Sequence, residues 1–322
     1  MKKIISVVSV LCVFALLGAL SFARAGQYRV GDAEISEAIQ NLEIEWTSGR
    51  VTLAYHAENT VEIQEKSAGT LRDSDKLRWV LDGDTLRILH DQPGLHLFSF
   101  TSPKKELTVT LPEDTELGRV RISATSADIV LPELRAEEIR LATTSGDQQG
   151  VVQGRKIKAE ATSGDMELRV TNVAEEITLS ATSGNITLES AGVREKLKLN
   201  TTSGTIRAAV QQADQFKAGT PSGGVQAYIG EAGKTQIEAT SGTVYVEIMK
   251  LDELKISATS GSVTAYLPAL PGFTARVETA SGRVQHTLPM AQEGKAYVCG
   301  DGSGSVKIST TSGGILIGAK EN

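Results

Sequence analysis

From Val120 onward, apolar and polar residues alternate in short runs, and each run ends at a similar small tetrapeptide. Glu175 to Ser190, EEITLSATSGNITLES, shows the unit. Ile177, Leu179, Ala181 and Ser183 share one parity, and Ile186 and Leu188 take the other. Alternation with period two predicts strands, whose successive side chains point to opposite faces. If both runs face inward, parity switches between Ser183 and Ile186, at Gly184-Asn185, with the serine facing in or along the edge. The same switch separates Ile157, Ala159, Ala161 and Ser163 from Met166 and Leu168. It recurs between Ile256, Ala258, Ser260 and the run Val263, Ala265, Leu267. A parity switch of this kind is a corner.

Glycine suits the corner because it reaches positive φ without a Cβ clash. The corner positions are Gly49, Gly146, Gly164, Gly184, Gly204, Gly223, Gly242, Gly261, Gly282 and Gly313. Ala127 stands at the first regular copy, so that corner either avoids positive φ or carries strain. The serine before each glycine reads as a small polar residue whose hydroxyl satisfies local backbone groups. Successive motif serines from Ser126 to Ser281 are spaced about 18 to 21 residues apart, a period that signals stacked repeats. Ser312 closes the series.

Two strands per repeat, with no hairpin signal between repeats and no helical periodicity, predict an all-β fold. The expected architecture is a parallel, right-handed β-solenoid with coils of about 19 to 20 residues over 119–318. Residues 27–118 read as a less regular N-terminal β region that caps it. There LEIEWTSGRVTL (Leu42 to Leu53) is a first copy of the motif, VEI and LRWVLDGDTLRIL are further strands, and Asp82-Gly83-Asp84 signals a turn. DQPGLHLFSFTS, Asp91 to Ser102, reads as a loop.

Aromatics make up only 4% of the chain and glycines number 31. That suits a narrow interior filled by Ala, Val, Ile and Leu. The formal charge of -6 lacks the cationic excess that nucleic-acid binding needs. Residues 1–25 read as a signal peptide: Lys2 and Lys3, an apolar run from Ile4 to Phe22, and Ala23-Arg24-Ala25 before Gly26. Its length also approaches that of an uncleaved membrane anchor. Cleavage would leave Cys299 as the one cysteine, so no internal disulfide is expected.

KELTVTLP (Lys105 to Pro112), the spaced ATSGDI-like corners and the closing GSGSVKISTTSGGILIG (Gly302 to Gly318) together resemble the DUF4097 family. The resemblance spans about Leu42 to Ile317. It implies a bacterial adhesin built as a parallel β-solenoid outside the cytoplasmic membrane. It brings no catalytic residue, ligand or activity. Many relatives are membrane anchored, whereas this sequence carries no C-terminal anchor or sorting motif.

No constellation of residues points to catalysis, a cofactor or a metal. His90 and His96 supply at most part of a metal site, which needs three or four convergent ligands, and read as a solvated loop. His286 has inward parity and reads as a partly buried structural residue or part of a frayed coil. The repeated serines lack a neighbouring base. Glu137-Glu138 and Glu175-Glu176 sit adjacent in sequence just before strands, so the side chains of each pair point apart. Outward threonines beside the corners read as β-propensity on an exposed face.

The expected function is that of an exported, non-enzymatic adhesin or surface scaffold at the bacterial cell envelope, secreted or on the extracytoplasmic surface. Its partner would be a surface ligand or envelope protein, with membrane attachment if the leader is retained. Binding is expected on outward residues such as Thr178, Ser180, Thr182, Thr187 and Glu189. Two rival readings are an envelope-stress regulatory component contacting a membrane partner and a carbohydrate-active β-helix enzyme. The C-terminal coil, with GAKEN after Ile317, is expected either to make an end-to-end contact or to be blunted by Lys320 and Glu321.

Overall fold

The computed structural model describes residues 28–91 and 104–319. The expected signal peptide, His96, nearly all of the Asp91 to Ser102 stretch, and Lys320 and Glu321 lie outside the described residues. Every regular element among the described residues is a β-strand.

The centre of the fold is a run of long strands: Met166–Ala181, Ile186–Thr201, Ile206–Thr220, Val225–Ala239 and Val244–Ser260. Each is parallel to the next, with Met166 opposite Ile186, Ile186 opposite Ile206, Ile206 opposite Val225 and Val225 opposite Val244. Each strand therefore lies one coil above its predecessor. This is the solenoid that the alternating pattern implies, because an apolar face on one coil is covered only by its neighbours. The columns inside are continuous: Ala159, Leu179, Leu199, Ala218, Ile237 and Ile256 are all buried.

The corner has a different geometry from the expected one. Ser183 is exposed and Gly184 is buried. Parity therefore switches at Thr182-Ser183, and Gly184 is the first inward residue of the new run. Ser145, Ser163, Ser203, Ser222, Ser241 and Ser260 are likewise exposed. Nor is positive φ the reason for glycine: among the corner glycines only Gly49 and Gly313 have it. The reason is space. A Cβ on Gly164, Gly184 or Gly204 would sit 1.9, 1.9 or 2.0 Å from the carbonyl oxygen of the corner glycine one coil earlier. Ala127 avoids positive φ, and Gly49, stacked against it, takes φ 107° instead.

The hydroxyls that satisfy the corner carbonyls come from inward threonines. Thr201 Oγ1 donates to Gly184 O at 2.8 Å and accepts from Gly204 N at 3.1 Å. Thr220 Oγ1 repeats the contact with Gly204 O at 3.2 Å. After the corner residue, Asp128, Asp147, Asp165 and Asn185 form a second ladder, in which Asp165 Oδ1 accepts from Asn185 N at 2.7 Å.

Both ends of the stack depart from chain order. The first long strand, Asn41–His56, pairs in parallel with Leu117–Thr143 on one side, with Ser48 opposite Ser126. On its other side lie Thr85–Leu89 and Lys105–Pro112, also parallel. The coils thus continue past residue 118 into the expected cap. The cap proper is antiparallel: Arg78–Asp82 forms a hairpin with Thr85–Leu89 through Gly83, and Val61–Ser67 covers Lys105–Pro112.

The C-terminal expectation needs correction. Gly304–Ser312 lies between Val244–Ser260 and Gly272–Ser281. Ile315–Gly318 lies between Val263–Tyr266 and Val284–His286. The last strands of the chain are therefore enclosed, and the outermost coil is 272–286. Chain length after Ile317 is irrelevant to capping, because the segment already has neighbours on both sides.

Candidate functional surface

The corner builds the most regular surface of the molecule. Strand register stacks Ser126, Ser145, Ser163, Ser183, Ser203, Ser222, Ser241 and Ser260 into one exposed column. Backbone bonds along the axis fix it: Ser183 N donates to Thr162 O at 2.8 Å, and Ser222 N donates to Thr202 O at 2.9 Å. Beside it run Thr162, Thr182, Thr202, Thr240 and Thr259, half-buried or exposed, interrupted by Pro221. Neighbouring coils lie about 4.8 Å apart, so the hydroxyls repeat at that spacing. On the flank after the corner, Tyr228, Tyr245 and Tyr266 follow one another with ring centroids 5.5 and 5.7 Å apart. Burial raises the Tyr245 phenol above its usual value, helped by the Glu247 carboxylate.

Of the outward residues singled out in the sequence, Thr178, Ser180, Thr182 and Thr187 are half-buried and Glu189 is exposed. Glu189 belongs to an axial ion pair with Arg169 at 2.7 Å. The carboxylate pairs lie within strands and also join axial charge ladders. Arg155 sits between Glu137 at 3.5 Å and Glu175 at 2.8 Å, on successive coils. Glu138 faces Arg119 and Arg140 instead. Glu137, Glu138 and Glu175 thus each have a cation from a neighbouring coil or strand position, and Glu137 and Glu138 take different cations.

The histidine readings change. His90 is not in a solvated loop: it is 3% exposed and packs edge-on against Trp46, with centroids 4.6 Å apart. His286 is exposed, because its column ends at the outermost coil. Cys299 is buried and free, and burial raises its thiol pKa, which disfavours the nucleophilic thiolate.

The sequence reading missed a buried ionic cluster at the N-terminal corner. Lys105 begins a strand opposite Gly49 and is completely buried. Its ammonium reaches Glu65 Oε1 at 2.7 Å, Asp75 O at 2.6 Å and the His90 carbonyl, and lies 5.0 Å from the Trp46 ring centroid. Three donors meet three acceptors, so the cluster ties the cap to the first coil. Burial holds the Lys105 ammonium below the usual lysine value, opposed by Glu65, Asp91 and Asp75. Only the register with Gly49 in the first motif copy could have flagged Lys105 as a corner residue.

A shallow concavity of about 320 Å³ is lined by Arg29, Glu34, Ile35, Glu37, Trp79 and Asp82 among others. Arg29 stacks over Trp79 there at 4.9 Å. This lining contains no nucleophile with an adjacent base.

The Toastrack DUF4097 family model matches residues 39–171 and again residues 151–318. No curated protein matches. The solved structures that resemble the chain include three bacterial proteins. One is described as a "putative cell adhesion protein" of Clostridium sporogenes, at 14% identity, covering 91% of this chain and 100% of its own, TM-score 0.19. Another is a "putative adhesin" of Bacteroides fragilis, at 11% identity, covering 91% and 97%, TM-score 0.35. The third is a "putative lipid binding protein" of Parabacteroides distasonis, at 14% identity, covering 92% and 98%, TM-score 0.44.

Proposed function

The chain belongs to the Toastrack DUF4097 family, and from that premise we propose that it is an exported, non-enzymatic adhesion scaffold of the bacterial cell envelope. The observation that carries this reading is the exposed, in-register serine column flanked by threonines. A ligand with its own repeat, above all an extended polysaccharide, meets such a column at many equivalent points. Each hydroxyl contact is weak. Linking many of them makes the later contacts intramolecular, so affinity rises by multivalency without any deep pocket. The tyrosines on the adjoining flank add amphipathic stacking surface for sugar rings, with Tyr228 40% exposed. The sequence of residues 1–25, read as a leader that is cleaved or retained as an anchor, supports placement outside the cytoplasmic membrane.

The test is retention of the purified protein on insoluble cell-wall polysaccharide, immobilised host glycans and matrix proteins. Retention should fall as the ligand chain is shortened and in a triple variant Ser163→Lys, Ser183→Lys, Ser203→Lys that remains folded by circular dichroism. No retention on any of these surfaces, or equal retention of the folded variant, sinks the proposal.

A further inference from the structure

The turn that leads from the first long strand into the cap gathers a set of metal-ligand groups that the function above does not use. His56 ends the strand Asn41–His56, Glu58 lies in the turn, and Glu62 is the second residue of Val61–Ser67. One ligand atom from each of the three lies within 4.8 Å of the others. The sequence signal is His56-x-Glu58-x-x-x-Glu62, which is silent until the turn folds back.

The hydrogen bonding defines the imidazole. His56 Nε2 is 2.6 Å from the Thr60 carbonyl oxygen. A carbonyl only accepts, so Nε2 carries the proton and the lone pair of the neutral ring is on Nδ1. A histidine whose second nitrogen donates to a backbone carbonyl is fixed in the orientation that metal-ligating histidines use.

The charge balance points the same way. Glu34 is paired directly opposite Glu62 across an antiparallel ladder. Side chains so placed leave the same face, and like charges there are destabilising. Among the described residues, no lysine or arginine forms an ion pair with Glu34, Glu58 or Glu62. Other glutamates of this molecule, Glu65, Glu137, Glu175 and Glu189, each have such a partner.

We propose that His56 Nδ1 and the carboxylates of Glu58 and Glu62 bind one divalent transition-metal cation, with Glu34 adding negative charge beside it. An imidazole nitrogen with carboxylate oxygens suits zinc or manganese, whereas calcium and magnesium favour all-oxygen sites. Metal–ligand bonds of about 2.1 Å require the donors to close up by roughly an ångström. Glu58 is exposed in a turn and can make that movement. The bound ion ties the end of one coil to the start of Val61–Ser67, the strand that covers Lys105–Pro112. It therefore pins the N-terminal cap.

The experiment titrates ZnCl2, MnCl2 and CaCl2 separately into metal-stripped protein by isothermal calorimetry. It is paired with thermal unfolding and hydrogen exchange over Val61–Ser67. One zinc per chain is expected. Glu58→Gln, a change in an exposed turn, should weaken zinc binding by at least tenfold without altering metal-free unfolding. His56→Ala should abolish both binding and the zinc-dependent protection of Val61–Ser67. Absence of zinc and manganese binding, binding unchanged in Glu58→Gln, or calcium bound as tightly as zinc would each overturn the proposal.

Discussion

The Cβ that Gly184 lacks would lie 1.9 Å from the carbonyl oxygen of Gly164, one coil earlier. No rotamer relieves that contact, because both partners are backbone. Gly184→Ala should therefore force the coils apart locally and cost about 1–3 kcal/mol, the range for overpacking. Gly69→Ala is the control: a Cβ there meets nothing within 4 Å. It should be neutral or stabilising by up to about 1 kcal/mol through loss of unfolded-state entropy. Equilibrium denaturation of the two variants separates steric demand from glycine content.

Lys105 and Glu65 should behave as a unit. Glu65→Gln leaves a buried ammonium without its counter-charge, and such a loss costs about 3–5 kcal/mol. Lys105→Met leaves the carboxylate in the same position. The double variant Lys105→Met, Glu65→Leu should recover much of the loss, because removing both charges also removes their desolvation. A double-mutant cycle on cap unfolding measures the coupling, and strict additivity would show the pair to be independent.

The same lysine has a pH signature. Burial lowers its pKa in the folded protein from the ordinary value of 10.5. Between the folded value and 10.5 the unfolded chain binds more protons, so this group makes stability rise with pH across that window only. Side-chain NMR from pH 7 to 11 should show Lys105 losing its proton before the exposed lysines do.

Thr235 is completely buried in an apolar column between Phe216 and Leu254, and its hydroxyl has no partner. Leaving a buried hydroxyl unsatisfied costs about 1–3 kcal/mol. Thr235→Val keeps the β-branched shape and removes that cost. It should raise the thermal midpoint, and a lowered midpoint would mean that the hydroxyl is satisfied in solution.

Enclosure of the last strands predicts an inverted protection pattern. Ile315 N donates to Arg283 O at 2.9 Å, so its exchange should be as slow as that of central coils although it is near the chain terminus. Outward amides of 276–286, earlier in sequence but at the edge of the stack, should exchange faster. Hydrogen exchange resolved by residue distinguishes the two orders of coils.

The sequence alone determined the coil. Alternation of apolar residues, parity switches and a period near twenty are local properties, and any chain obeying them must stack its inward faces on its neighbours. The register of Ile186 against Ile206 follows from that period. Four features were decided only by the tertiary structure, because each depends on which distant backbone lies alongside. The serine column faces out because the inward position belongs to glycine, and glycine is required by the carbonyl of the preceding coil rather than by its own φ. The order of coils at the two ends depends on pairings such as Asn41 with Thr85 and Ser281 with Ser312, which no local pattern specifies. Lys105 reads as a charged strand end until Glu65, Asp75 and His90 close around it. His56 and Glu62 become a candidate metal site only when the turn folds them together, since spacing in the chain carries no information about convergence in space.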